Sequence, residues 1–206
     1  MFQKTELVKL EASQIQQAGE MIARAFFDDA LVIYMFPDEE QRKKLLPLHF
    51  IPFIRYGVLF GEVFTTIGNP AAVAVWLPPD QTQMTPEKVE QAGLNQISEI
   101  IGEDAWRRFE TVNTHVEAFH PTEAHEPHWY LGLIGVDSPF KGKGLGSALL
   151  QHIHERADEQ GLPSYLWTVM EQNVTFYQRN GYHILTDAVE PISGLRFWTC
   201  RREPQK

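Results

Sequence analysis

The chain is short of cysteine, of basic residues and of long apolar runs, and each shortage removes a class of protein. Cys200 is the only cysteine among 206 residues. No intrachain disulfide or cysteine-based metal site can form, and a reducing compartment, the cytoplasm, is expected. Lysine and arginine number 18 against 27 aspartates and glutamates, a net charge of −9. Such a surface lacks the positive field on which general nucleic-acid and anionic-membrane binding rest, and cationic small molecules suit it better. The most apolar stretch, residues 45–60, is interrupted by Pro47, His49, Pro52 and Arg55, which makes it too short and too polar to span a bilayer. The first six residues have no apolar core or small-residue cleavage site of a secretion signal. No repeat and no low-complexity tract marks a linker or an array.

What remains is an ordinary globule, 43% hydrophobic and 22% charged, long enough for one domain that buries about 70 per cent of its unfolded surface. Residues 6–11 read as a strand, and Ser13 as the cap of a helix with Ala18, Met21, Ile22 and Phe26 on its apolar face. A second helix starts after the acids at 38–40 and runs to Gly57 or Gly61. Strands at 62–67 and 71–76 form a hairpin, and Pro86 opens a helical segment reaching Phe119. The segment from His128 to Val136 is apolar on both alternating faces, the pattern of a central strand covered on each side. Gly132 and Gly135 within it mark a bulge or a close backbone approach. A helix ended by Gly161 follows, then a strand at 164–169, a short helix from about Asn173 to Gly181, and strands at 182–189 and 195–201. The layout is an α/β (α+β) mixed sheet flanked by helices.

Between the central strand and the 145–160 helix lies Lys141-Gly142-Lys143-Gly144-Leu145-Gly146-Ser147. Glycines at alternate positions uncover backbone N–H groups, and the following helix adds its positive dipole end, so this loop can cradle an anion. It is neither a Walker loop, since Ser or Thr does not follow Gly-Lys, nor the Gly-x-Gly-x-x-Gly of dinucleotide folds.

Residues 136–150, with Lys141-x-x-Gly144-x-Gly146, resemble the pyrophosphate loop of the GNAT superfamily of N-acetyltransferases. Residues 173–182 resemble the motif that follows it in that superfamily. A narrower likeness, to the puromycin N-acetyltransferase group, involves residues 71–76, 142–147, 176–177 and 195–199. The resemblance implies a GNAT-like, mostly antiparallel sheet with a splayed central strand, with 1–127 forming the acceptor-side half and 128–206 the cofactor half. It implies acetyl-CoA as donor substrate, no metal, its pyrophosphate on the amides of Lys141 to Ser147 and its pantetheine arm beside Ile134, Gly135 and Val136. Lys141 stands where the superfamily usually has Gln or Arg, keeping a charge without planar, bidentate bonding. Asn173 would bond the pantetheine or cap its helix. Tyr177 would be the general acid, since a phenol is protonated at neutral pH and can donate to a departing thiolate.

The base is less defined: His128, Tyr130, Glu171 or water are candidates. The run His115, His120, Glu123, His125, Glu126, His128 fits no metal-ligand spacing and is expected to lie over the acceptor cleft instead. Aromatic residues Phe26, Phe27, Tyr34, Phe36 and 50–56, with Asp28, Asp29, Glu39 and Glu40, suit a cationic, partly apolar amine. The expected activity is direct acetyl transfer to a small primary amine. A protein or peptide amine, or a CoA-binding sensor without activity, are the alternatives, and a homodimer is compatible with the sequence.

Overall fold

The computed structural model describes residues 6–205. One seven-stranded sheet runs through the described residues in the order β1-β2-β3-β4-β5-β7-β6. Its strands are β1 (Leu7–Lys9), β2 (Glu62–Thr66), β3 (Ala72–Leu77), β4 (Trp129–Val136), β5 (Ser164–Thr168), β6 (His183–Val189) and β7 (Arg196–Arg202). Every pairing is antiparallel except β4 with β5, which agrees with the expected mixed, mostly antiparallel sheet.

Nine α-helices cover the two faces of the sheet among the described residues. They are α1 (Ile15–Ala25), α2 (Ala30–Met35), α3 (Glu39–Phe60), α4 (Pro86–Ala92), α5 (Ile97–Ile101), α6 (Glu103–Glu117), α7 (His120–Glu123), α8 (Leu145–Gln160) and α9 (Glu171–Arg179). β3 is buried at every position because alternate residues serve two cores. Val73, Val75 and Leu77 pack with α1, α3, α5 and α6. Ala72, Ala74 and Trp76 pack with Leu149, Leu150 and Ile153 of α8 and with Tyr177 of α9.

The structure corrects several local expectations. Ser13 sits inside a 3-10 turn, Ala12–Gln14, whose start is closed by a reciprocal box between Glu11 and Gln14. The segment from Pro86 to Phe119 breaks into pieces at left-handed turns on Gly93 and Gly102. α9 begins at Glu171, so Asn173 lies in its first turn and caps nothing. α2 was not anticipated; Asp29 caps it by accepting from the N–H of Leu31 at 2.9 Å. Asp38 likewise caps α3 through the N–H of Gln41 at 2.8 Å.

Two irregularities in β4 position the site. Val75 pairs with Leu133 and Trp76 with Leu131, which leaves Gly132 as the extra, unpaired residue of a bulge. On its other edge β4 pairs with β5 only at Trp129–Ser164 and Tyr130–Tyr165, and beyond Tyr130 the two strands part. Gly135 faces α1: a Cβ there would lie 2.6 Å from Ile22 Cδ1, 3.2 Å from Phe26 and 3.3 Å from the Ala25 Cβ. Gly135→Val is expected to destabilise the fold by about 1–3 kcal/mol through overpacking, read as a lowered midpoint in denaturant unfolding.

Candidate active site

The parting of β4 and β5 opens two clefts. The first, about 690 Å³, runs from the glycine loop to α9. The N–H of Ala148 bonds to the carbonyl of Gly144 at 3.0 Å, so the amides of Leu145, Gly146 and Ser147 have no acceptor within α8 and are free for an anion. Gly142 and Gly144 hold φ of 76° and 80°, a region in which a side-chain-bearing residue is strained. Gly146 is small for another reason: a Cβ there would meet the Phe176 ring of α9 at 3.1 Å.

Of the residues expected to hold the donor, Ile134, Gly135, Val136, Lys141, Gly142, Gly144, Leu145, Gly146, Ser147 and Asn173 all line this cleft, and Tyr177 does too. Lys143 does not; its ammonium lies over the Phe140 ring, 4.9 Å from the centroid. Beyond Tyr130 the edge of β4 facing β5 has no strand partner, which leaves main-chain groups open to an extended ligand. Loop amides for a diphosphate and a free strand edge for a pantetheine chain fit coenzyme A. Arg24 also lines the cleft, held to Asp137 at 2.7 Å.

The second cleft, about 510 Å³, lies between α3, α6 and the sheet. Phe26, Phe50, Phe53, Tyr56 and Phe109 make its aromatic walls. Phe27, Tyr34, Phe36, Glu39 and Glu40 lie outside both clefts. Of the run from His115 to His128 expected over this cleft, His120 alone lines it; His115, Glu123, His125, Glu126 and His128 do not, and the rest of the cover comes from earlier residues such as Met84, Asn113 and Glu117.

Glu117 was not singled out from the sequence. One of its oxygens accepts from the Tyr130 hydroxyl at 2.5 Å and the Trp167 indole N–H at 2.9 Å; the other faces His120 Nδ1 at 3.1 Å. Burial raises its pKa, but these donors outweigh burial and hold the carboxyl below its ordinary range. His120 stacks over the neighbouring rings of Tyr130 and Tyr165, 4.8 and 4.7 Å from their centroids, and its Nε2 meets His128 Nε2 at 2.7 Å. The histidine-rich segment thus builds a hydrogen-bonded wall. Among the described residues no group of three His, Cys, Asp or Glu side chains is placed to hold a metal ion.

The two clefts meet at Phe26, Asp29, Ile134, Asn173 and Tyr177, which line both. Tyr177 is buried, and desolvation first, then Tyr182, Cys200 and Asp29, push its phenol well above the usual value. It stays protonated at neutral pH. Asp29 is the ionisable partner at this junction: desolvation pushes its carboxyl up to about 6, against the N–H bonds from Leu31 and Val32 that lower it. The other base candidates lie elsewhere. Glu171 is exposed and lines neither cleft. Tyr130 donates to Glu117 and has a strongly raised pKa. His128 is buried behind His120. Cys200 lies on β7, fully buried, its thiol pushed up to about 12 by burial.

Comparisons with known proteins agree with this geometry. Residues 106–182 match the model of the acetyltransferase (GNAT) family. The chain is 27% identical over 182 residues to an uncharacterized N-acetyltransferase of Schizosaccharomyces pombe, covering 84% of this chain and 72% of that protein. A crystal structure described as histone acetyltransferase HPA2 and related acetyltransferase, from Corynebacterium glutamicum, is 20% identical with a TM-score of 0.66, covering 98% of this chain and 97% of the other. Arylalkylamine N-acetyltransferase 2 of Aedes aegypti is 18% identical with a TM-score of 0.64, covering 98% and 100%. None of the described helices is long and apolar enough to cross a membrane. A diphosphate cradle beside a parted strand pair, on this sheet, gives the chain the GNAT fold, and its residues 106–182 are similar to the GNAT family of acetyltransferases, whose usual acetyl donor is acetyl-CoA.

Proposed function

We propose that the protein transfers an acetyl group from acetyl-CoA directly to the primary amine of a small molecule. The observation that carries this reading is the meeting of an anion-cradling cleft and an aromatic cleft at one carboxyl and one phenol, Asp29 and Tyr177. An apolar, aromatic-walled cleft of about 510 Å³ is of the size and character that suit a small acceptor. Asp28 and Asp29 add negative charge on the approach to the junction. The narrower kinship with puromycin N-acetyltransferase is proposed on the motifs alone and implies nothing about the acceptor.

In this mechanism Asp29 takes a proton from the acceptor nitrogen as it attacks the thioester carbon. The C–N bond forms, the C–S bond breaks, and the Tyr177 hydroxyl donates to the departing sulfur. Asp29 then releases its proton to solvent and Tyr177 regains one from solvent, so the net change moves one proton from nitrogen to sulfur. Cys200 takes no part, because a buried thiol that titrates near 12 supplies no thiolate for an acyl-enzyme.

Free thiol released from acetyl-CoA across a panel of amines tests the reading. Amine-dependent release is expected; calorimetric binding of acetyl-CoA without release would leave a CoA sensor. Tyr177→Phe should lower kcat by about 10²- to 10⁴-fold with acetyl-CoA affinity preserved, and unchanged turnover would remove it from the acid role.

Asp29→Asn separates chemistry from stability. Asn also caps helices well, so α2 should persist. The rate should rise with pH through about 6 in the wild type, and the variant should lose that limb and most of its activity. For stability, a carboxyl whose folded value is raised contributes fully below its unfolded value near 4 and loses that contribution as pH climbs through about 6. The variant should therefore match the wild type near pH 4 and melt at a higher temperature at pH 8, as thermal denaturation at both values would show.

A further inference from the structure

The wall of the aromatic cleft contains a polar group that nothing in the protein satisfies. His49, on α3, is 3% exposed and contributes to the cleft wall. Its ring lies 5.1 Å from Phe50, 5.0 Å from Phe53 and 5.0 Å from Phe109. Burial holds its pKa down at about 3, so the ring is neutral, with one N–H and one lone pair to satisfy. Its Nδ1 is buried without a partner. Seven residues on, the Tyr56 hydroxyl on the same helix face is also buried and unpartnered, and Tyr56 too lines the cleft. A phenylalanine at either place would pack the same space without that desolvation cost, so the polar atoms call for a ligand partner.

The position of His49 says which end of the acceptor it meets. Phe26, at the junction of the clefts, stands 5.2 Å from Phe50, the ring next to His49. His49 therefore lies two ring contacts from the reacting end, with aromatic walls between. The chemistry of the distal group follows from the charges around it. His49 is neutral, and so are Gln83 and Asn113, which also line the cleft. Glu117, the other carboxylate there besides Asp29, already faces three donors. A second ammonium or a carboxylate on the acceptor would be left uncompensated, whereas a neutral hydroxyl or N–H would be satisfied.

We propose that the acceptor is an arylalkylamine whose ring bears a hydroxyl or N–H, and that His49 determines specificity by hydrogen-bonding to that group, with Tyr56 as a second contact. This rests on the amine-acetylation reading above. A site built to hydrogen-bond a substrate hydroxyl rejects the analogue without it more strongly than an apolar pocket discriminates a methylene.

The test compares tyramine with phenethylamine, which differ only in the ring hydroxyl, by kcat/KM with acetyl-CoA. The wild type is expected to prefer tyramine by about tenfold or more. In His49→Phe the ratio should fall towards one, and His49→Gln, which keeps a donor and an acceptor, should retain part of it. Equal kcat/KM for the two amines in the wild type, or an undiminished ratio in His49→Phe, would overturn the proposal. If His49→Phe does not fold, Tyr56→Phe and His49→Gln decide it by the same ratio, which must drop in both. Thiol release with other amines but with neither of these two would overturn the specificity assignment while leaving acetyl transfer intact. Release with no amine would remove both.

Discussion

The site depends on a sheet that fails to close. β4 and β5 are the one parallel pair among the described strands, and they hold together for two residue pairs before separating. Backbone groups in a sheet interior are expensive to leave unpaired, so the free edge of β4 is tolerable only because it borders a cleft where water or a ligand supplies partners. Parallel strands need a crossover. Here that crossover is the glycine loop and α8, so the separation of the strands and the unsatisfied amides at the start of α8 fall at the same end of the sheet. The Gly132 bulge bends β4 at this place, and the absent side chain of Gly135 lets α1 press against its face.

The two clefts divide the electrostatic work. The donor side has Lys141, Arg24 and loop amides, suited to phosphate. The acceptor side is apolar, and its carboxylate Glu117 is held by donors from α7, β4 and β5. Glu117 therefore serves as a fixed node that ties α6 and α7 to the central strands. Asp29 differs: its only hydrogen bonds come from the turn it caps, and desolvation leaves its carboxyl near neutrality. One fold thus keeps two carboxyl groups with opposite tendencies, separated by the number of donors each has found.

The legible parts of the sequence were the local ones. The strand, glycine loop and helix from 128 to 161 could be read because periodicity and glycine placement act over a few residues, and Gly132 announced its bulge by being costly in a strand. The separation of β4 from β5 came only through family resemblance, since no local pattern encodes where two strands part. Glu117 carries no local signal because two of its three partners stand 13 and 50 residues away in sequence, at Tyr130 and Trp167. The helix α2 was missed because six residues carry little periodicity, although Asp29 ahead of an apolar run was a readable cap. The division of 86–117 into separate helices is signalled by Gly93 and Gly102, whereas amphipathic periodicity alone reads the stretch as one run. His49 read as an interruption of an apolar stretch, and only its ring contacts show that it belongs to a wall.

Cys200 has a practical side. It is the sole sulfhydryl of the chain, sealed in the second core on β7 with no measurable accessibility. A chromogenic disulfide added to a folded sample therefore meets only sulfur liberated from the donor, so the background of a continuous colorimetric assay stays flat. The same reagent, left for hours on the protein alone, would count the rare openings of the sheet that bring β7 into solvent.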